Sequence, residues 1–375
     1  MCAGAPICRW VLLACLTPAL TPGNALARHA PEGPGSVQYD LKADERAVAR
    51  TANIVGPGFR RTESRHFVIL TDCSTASARA RAGLLERTRD QFLKMAAKLD
   101  LSIKPHDYKL LCVYFNDPVE YAAFAGAHDG LEADWVAGYY ATATNRVVFY
   151  NDENAPDLKE ALDQLESYEA EAGSRRSMAT EAARRQDRSA ADRLDAAAQR
   201  LEDQIASERS RLTRHTRDVA IAKTIHEAVH LLAFNTGLQD PAADYPFWLS
   251  EGLATSFETT TPSAAFGPAY ESPSRQARLA ELAAADMLPP LDDLVTFSTA
   301  PADDAEAADA MYHFSYALFA HLYRFEREKL GAYIESFKHE PPGPISPARQ
   351  RELFRNHFGD PRPIERRILV TLDAS

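Results

Sequence analysis

The chain has 375 residues, 45% hydrophobic and 25% charged, a balance that fits a soluble globular protein with a large core or two domains. A net charge of −11 without a basic stripe excludes a nonspecific nucleic-acid binder. No stretch approaches the ~20 apolar residues of a membrane span.

The first 27 residues read as a signal peptide. Arg9 supplies a positive start, Trp10 to Leu20 is mostly apolar, and Ala25-Leu26-Ala27 fits the small-x-small rule for cleavage. The expected product is exported, periplasmic or extracellular. Leu12-Leu13-Ala14-Cys15 also resembles a lipoprotein attachment site, but the apolar run before Cys15 is short for one. Residues 28–60 carry many Pro and Gly and read as a loose leader with one short helix around Leu41 to Arg50. After cleavage only Cys73 and Cys112 remain. They make one disulfide in an oxidising compartment or stay as two buried thiols near strand ends.

Residues 61–156 alternate strand and helix patterns. His66 to Thr71 and Tyr108 to Phe115 are apolar strand runs, separated by a helical stretch whose Leu84, Leu85, Phe92, Met95 and Leu99 share one side. Asp117-Pro118 opens a short helix. Trp135 to Ala141 and Arg146 to Tyr150 are two further strands joined by a turn at Thr142 to Asn145. The order predicts a small α/β layer.

Residues 157–220 read as an inserted helical hairpin. From Ser174 to Thr236 there is no Gly and no Pro, and Leu194, Ala198, Leu201, Ile205, Leu212, Val219 and Ala222 follow a 3–4 spacing that Glu208 and His215 interrupt. Leu158, Leu162 and Leu165 supply the opposing helix, with the reversal expected near Gly173. Its charges are mixed in sign, which suits a protein partner rather than nucleic acid. The 3–4 spacing runs on through Ala222 to His226, so the hairpin is expected to join the next helix without a break. Residues 221–375 are mainly helical, with short helices and loops over 261–310 and an amphipathic helix from Met311 to Phe325.

The chemistry sits in His226-Glu227-Ala228-Val229-His230. On a helix, residues i and i+4 share a face, so His226 and His230 present two imidazoles at the separation one Zn2+ requires. Glu227, turned about 100° from His226, reaches a water beside the metal without ligating it, the position of a general base. With 11 histidines such a pattern arises by chance at roughly a few per cent, so context decides. The neighbours Ile225, Val229, Leu231 and Leu232 are apolar, and a Glu among them is costly without a metal or partner. A catalytic zinc needs a third protein ligand, and Glu251 in Trp248-Leu249-Ser250-Glu251-Gly252-Leu253-Ala254 is the candidate. Gly252 inside a helix marks close packing, expected against the first metal helix.

These two motifs resemble the gluzincin superfamily of zinc metallopeptidases, and the second is similar to the glutamate helix of the membrane alanyl aminopeptidase family. The resemblance covers roughly 65–150 and 221–360. It implies His226, His230 and Glu251 as ligands of one Zn2+, Glu227 as general base and acid, and a peptide or protein substrate. It also implies an α+β, zincin-like domain: a small twisted mixed sheet over the HExxH helix, and a mainly α-helical lobe below. Tyr312-His313-Phe314-Ser315-Tyr316 resembles the segment that carries an oxyanion-stabilising tyrosine, which falls on Tyr312, with Tyr316 or His313 as substitutes. The family's substrate-binding edge strand falls on Gly138, Tyr139 and Tyr140. Thr255 or Glu258 is placed to hydrogen-bond a ligand histidine.

Three departures favour an endopeptidase over an aminopeptidase. Twenty residues separate His230 from Glu251, no acidic motif for a free N-terminus precedes the helix, and Ser315 stands where glycine is expected. The competing readings are an inactive zincin fold that binds a partner through its hairpin, and a helical structural protein with a chance motif.

Overall fold

Phe67 to Leu70 and Leu110 to Phe115 are continuous apolar runs, and such runs make strands covered on both faces. A computed structural model describes residues 41–131, 138–301 and 303–373 and bears this out. The expected signal peptide, residues 28–40 of the expected leader and Trp135 to Ala137 of an expected strand lie outside these residues.

In chain order the elements are β1 (Lys42–Ala43), α1 (Glu45–Val55), β2 (Arg60–Glu63), β3 (Phe67–Thr71), α2 (Thr75–Lys98), β4 (Tyr108–Phe115), α3 (Pro118–Phe124), β5 (Gly138–Ala141) and β6 (Arg146–Tyr150). Helices follow: α4 (Pro156–Arg184), α5 (Arg188–Asn235), α6 (Phe247–Thr255), α7 (Pro273–Ala284), α8 (Leu291–Leu294), α9 (Ala305–Phe325), α10 (Arg327–Ser336), α11 (Pro347–Phe358) and α12 (Pro361–Asp373). A small mixed sheet and a large helical remainder make this an α+β fold.

The sheet order is β2-β3-β4-β6-β5, with β1 beside the start of β4. β3, β4 and β6 are parallel, so Ile69 lies opposite Cys112, which lies opposite Val147. β2 and β5 run antiparallel at the two edges. Side chains alternate between faces. Phe67, Ile69, Cys112, Tyr114, Val147 and Phe149 enter the main core with α2 and α5. Val113, Phe115, Tyr139 and Val148 pack with Tyr121 and Phe124 of α3, and Val68, Leu70 and Leu111 with Val48 of α1.

Two expectations need correction. Residues 41–60 of the expected leader are ordered, and its expected short helix is α1, shifted to end at Val55 rather than Arg50. Asp44 caps α1 by accepting from the amides of Arg46 and Ala47, and β2 completes the sheet edge. Arg-Arg-Thr-Glu shows no apolar alternation because its side chains stay at the surface and form ion pairs, Arg61 with Glu45 and Glu63 with Lys109. The hairpin does not reverse at Gly173, which lies inside α4. Its glycine costs up to ~1 kcal/mol there, too little to break a helix held by a partner. The turn falls at residues 185–187, where Gln186 takes φ +64° and Asp187 caps α5 through the Ala190 amide. Of the two readings open for the cysteines, the buried thiols hold: Cys73 and Cys112 are both free, and burial pushes the Cys112 thiol up to about 12.

α5 has 48 residues and crosses from hairpin to core unbroken, a rod of about 72 Å. Along the hairpin, Leu165, Ala172 and Ala179 of α4 face Ala198 and Ile205 of α5, each series at seven-residue spacing. Arg176 bridges Asp195 and Glu202 across the seam, and Glu169 pairs with Arg209. No described helix is long and apolar enough to cross a membrane.

Candidate metal centre

The last turns of α5 carry Ile225, Ala228, Val229, Leu231, Leu232 and Ala233 around the helix and are buried on every side in the main core. This places the polar residues of the motif where nothing but designed partners can satisfy them. His226 is fully buried, and Glu227, His230 and Glu251 are nearly so. The Nε2 atoms of His226 and His230 are 3.2 Å apart. Glu251, from α6, reaches 3.1 Å from His226 Nε2 and 3.5 Å from His230 Nε2.

This donor set fits a metal ion. A tetrahedral Zn2+ about 2.0–2.1 Å from each imidazole nitrogen needs the two nitrogens ~3.3 Å apart. All three ligand atoms lie within 4.8 Å of one another. Without a cation the cluster is poorly paired, because two ring nitrogens face each other and one carboxylate serves both. Burial raises the Glu251 carboxyl, but His230 and His226 outweigh it and hold Glu251 well below the usual carboxylate range. It is a charged donor ready for a cation.

Glu258, just beyond α6, fixes the first imidazole. Its Oε1 accepts from His226 Nδ1 at 2.9 Å, which turns Nε2 toward Glu251 and His230. Burial opposes the charge on Glu258, but Arg275 on α7 and His226 keep its carboxyl low. Arg275 pairs with its other oxygen. Of the two second-layer candidates, Glu258 therefore makes the contact. Thr255 instead donates to the Glu251 carbonyl within α6.

Glu227 meets the edge strand of the sheet. The Tyr140 backbone amide on β5 donates to its carboxylate, while Oε2 has no hydrogen-bond partner among the described residues. Burial pushes its carboxyl above the usual value, with His226 and His230 pulling the other way.

Tyr312 on α9 is beside the cluster, its ring 6.5 Å from that of His226 and 5.0 Å from that of Phe247. Its substitutes are engaged elsewhere. Tyr316 accepts from the Ser272 amide, and His313 Nδ1 donates to the Asp309 carbonyl. The edge strand splits by face. Tyr139 is buried on the far side, donating to Asp129. Tyr140 faces α5 and stacks on Phe234 at 5.4 Å. Gly138 has no room for a side chain, because a Cβ would meet Phe149 at 2.7 Å and Lys223 at 3.2 Å.

Gly252 does mark close packing, but against α9 rather than α5. A Cβ there would come 2.5 Å from the Ser315 carbonyl oxygen. Ser315 adds only a buried hydroxyl at this contact, so the helices still touch backbone to backbone. Sequence reasoning missed Lys223 and Asp152. Lys223 lies one turn before Glu227, is 3% exposed, and pairs with Asp152 at the root of α4. A lone Lys at the border of an apolar helix run was the available signal.

A family model described as a protein of unknown function (DUF1570) matches residues 220–343. That stretch holds His226, Glu227, His230, Glu251, Glu258 and Tyr312 and leaves out the sheet and most of the hairpin. No curated protein and no solved structure matches the chain.

Proposed function

We propose that this protein is an exported zinc-dependent peptidase of gluzincin type, cutting within chains rather than from a free N-terminus. The observation that carries the reading is the convergence of His226, His230 and Glu251 on one point, with an unsatisfied carboxylate oxygen of Glu227 on the same helix. The resemblance of both motifs to gluzincins supports it. So does a mixed sheet packed over the motif helix, the zincin arrangement.

A bound Zn2+ would supply Lewis acidity, polarising a substrate carbonyl and making water acidic enough to attack. His226, His230 and Glu251 would hold the ion, and Glu258 would orient His226. Glu227 Oε2 would take the proton and return it to the leaving amine, while the Tyr140 amide keeps the carboxylate in place. The Tyr312 phenol would donate to the oxygen on which charge develops. An extended peptide would lie along β5.

The test is metal content and cleavage of a mixed peptide library by wild type and Glu227→Gln. The expected outcome is one zinc in each protein, with turnover at least about 10²-fold lower in the variant. Equal turnover would remove Glu227 from its role. Stoichiometric zinc in wild type without hydrolysis of any peptide would instead favour a partner-binding role for the hairpin.

A further inference from the structure

The ligand-bearing face of α5 continues past His230. Steps of four give His226, His230 and then Phe234, about 6 Å further along the axis. Phe234 stacks on Tyr140, whose amide holds Glu227. Phe234 also lines a cavity of about 260 Å³, together with Gln239 and Tyr245 from the connection after α5 and Phe337 just beyond α10.

Gln239 is 1% exposed, and neither its amide nitrogen nor its carbonyl oxygen has a hydrogen-bond partner among the described residues. A buried carboxamide with both ends unpaired is a cost the fold does not need, since an apolar side chain would fill the place. The charged groups near the cavity are already engaged. Lys338 donates to the Ser102 carbonyl at 2.7 Å and to Glu335 at 2.9 Å, and Glu340 is held by Arg349 at 2.6 Å. Asp240 accepts from the Ala242 amide at 2.9 Å. An anionic ligand meets that carboxylate and cannot donate to the Gln239 carbonyl. A cationic one cannot accept from the Gln239 amide. A second amide does both in one plane, between aromatic walls that suit a flat group.

We propose that this cavity is a subsite for an amide group of a bound peptide, supplied by an Asn or Gln side chain or by a main-chain peptide unit. The proposal rests on the peptidase reading, because the subsite lies on the same helix face as the metal ligands.

The test measures binding rather than turnover, on metal-loaded Glu227→Gln protein. The probes are blocked alanine tripeptides carrying Gln, Glu or norleucine at one position in turn. If a side-chain amide is the ligand, the Gln peptide binds about tenfold tighter than the other two at one position, and adding Gln239→Met removes the difference. If a main-chain amide is the ligand, all three bind alike and all weaken about tenfold in Gln239→Met. Should that variant unfold, Gln239→Asn withdraws the amide by one methylene and gives the same losses. Affinities unchanged by either variant, or no tripeptide binding at all, would overturn the subsite. Binding that follows Gln239 in a protein whose wild type cleaves nothing would leave the subsite standing and sink only the peptidase reading.

Discussion

The two halves of α5 share one backbone and little else. From Lys223 to Ala233 every residue is buried, whereas Ala198 and Ile205 are the buried residues of the stretch from Arg188 to Ala222. The first half is held by a narrow seam of small side chains and by ion pairs in water, which are individually worth little. The second is held by the main core. Regular helix therefore says nothing about where stability or chemistry resides. The neighbours of each turn decide that.

Matched substitutions test the contrast. His226→Ala should lose metal by more than the roughly 100-fold associated with outer-layer changes, while His215→Ala, eleven positions earlier on the same helix, should leave metal content unchanged. Metal analysis after dialysis reads both, and equal loss would mean the hairpin takes part in the site. Ile225→Ala should destabilise by about 2–5 kcal/mol in denaturant unfolding, since its site cannot collapse. Ile205→Ala should fall at or below the bottom of that range, because the cavity opens toward solvent at the seam. Glu258→Gln removes a charge from the far side of His226 but keeps the shape. Zinc affinity should drop about 10–100-fold, with the fold intact by circular dichroism. Smallest and opposite in sign are the two glycines. Gly252→Ala should destabilise by about 1–3 kcal/mol by pushing α6 off α9, and Gly173→Ala should stabilise by up to ~1 kcal/mol because nothing lies within 4 Å of its missing Cβ. Melting curves that move the same way for both would erase the distinction between packed and solvated helix.

Much of this was legible in the residues. The apolar runs at 67–70 and 110–115 gave the strands, because a fully covered strand has no polar face to confuse the pattern. The four-residue spacing of His226 and His230 gave a shared face, and the helix pattern around Glu251 gave the third donor. What was hidden depends on partners distant in the chain. β2 is polar and exists through pairing with β3. Gly173 looked like a reversal because composition cannot show whether a neighbouring helix holds a glycine in place. Arg275 reaches Glu258 from a different helix, and its own surroundings carry no motif. The approach of Gly252 to Ser315 was half-visible: the glycine announced contact but not with whom.

The continuity of α5 carries a constraint of phase. Each residue added to a helix turns everything beyond it by about 100°. A single insertion between Ala198 and Lys223 would leave His226 and His230 anchored in the core and swing the outer half of the hairpin a quarter-turn or more about the axis. Its contact stripe would leave α4 and face water. Seven residues added to α5 would come close to restoring the angle, but α4 would have to lengthen by the same amount to keep the stripes opposed. The length of this arm is therefore adjustable only in paired steps of two turns, as a gear changes only by whole teeth.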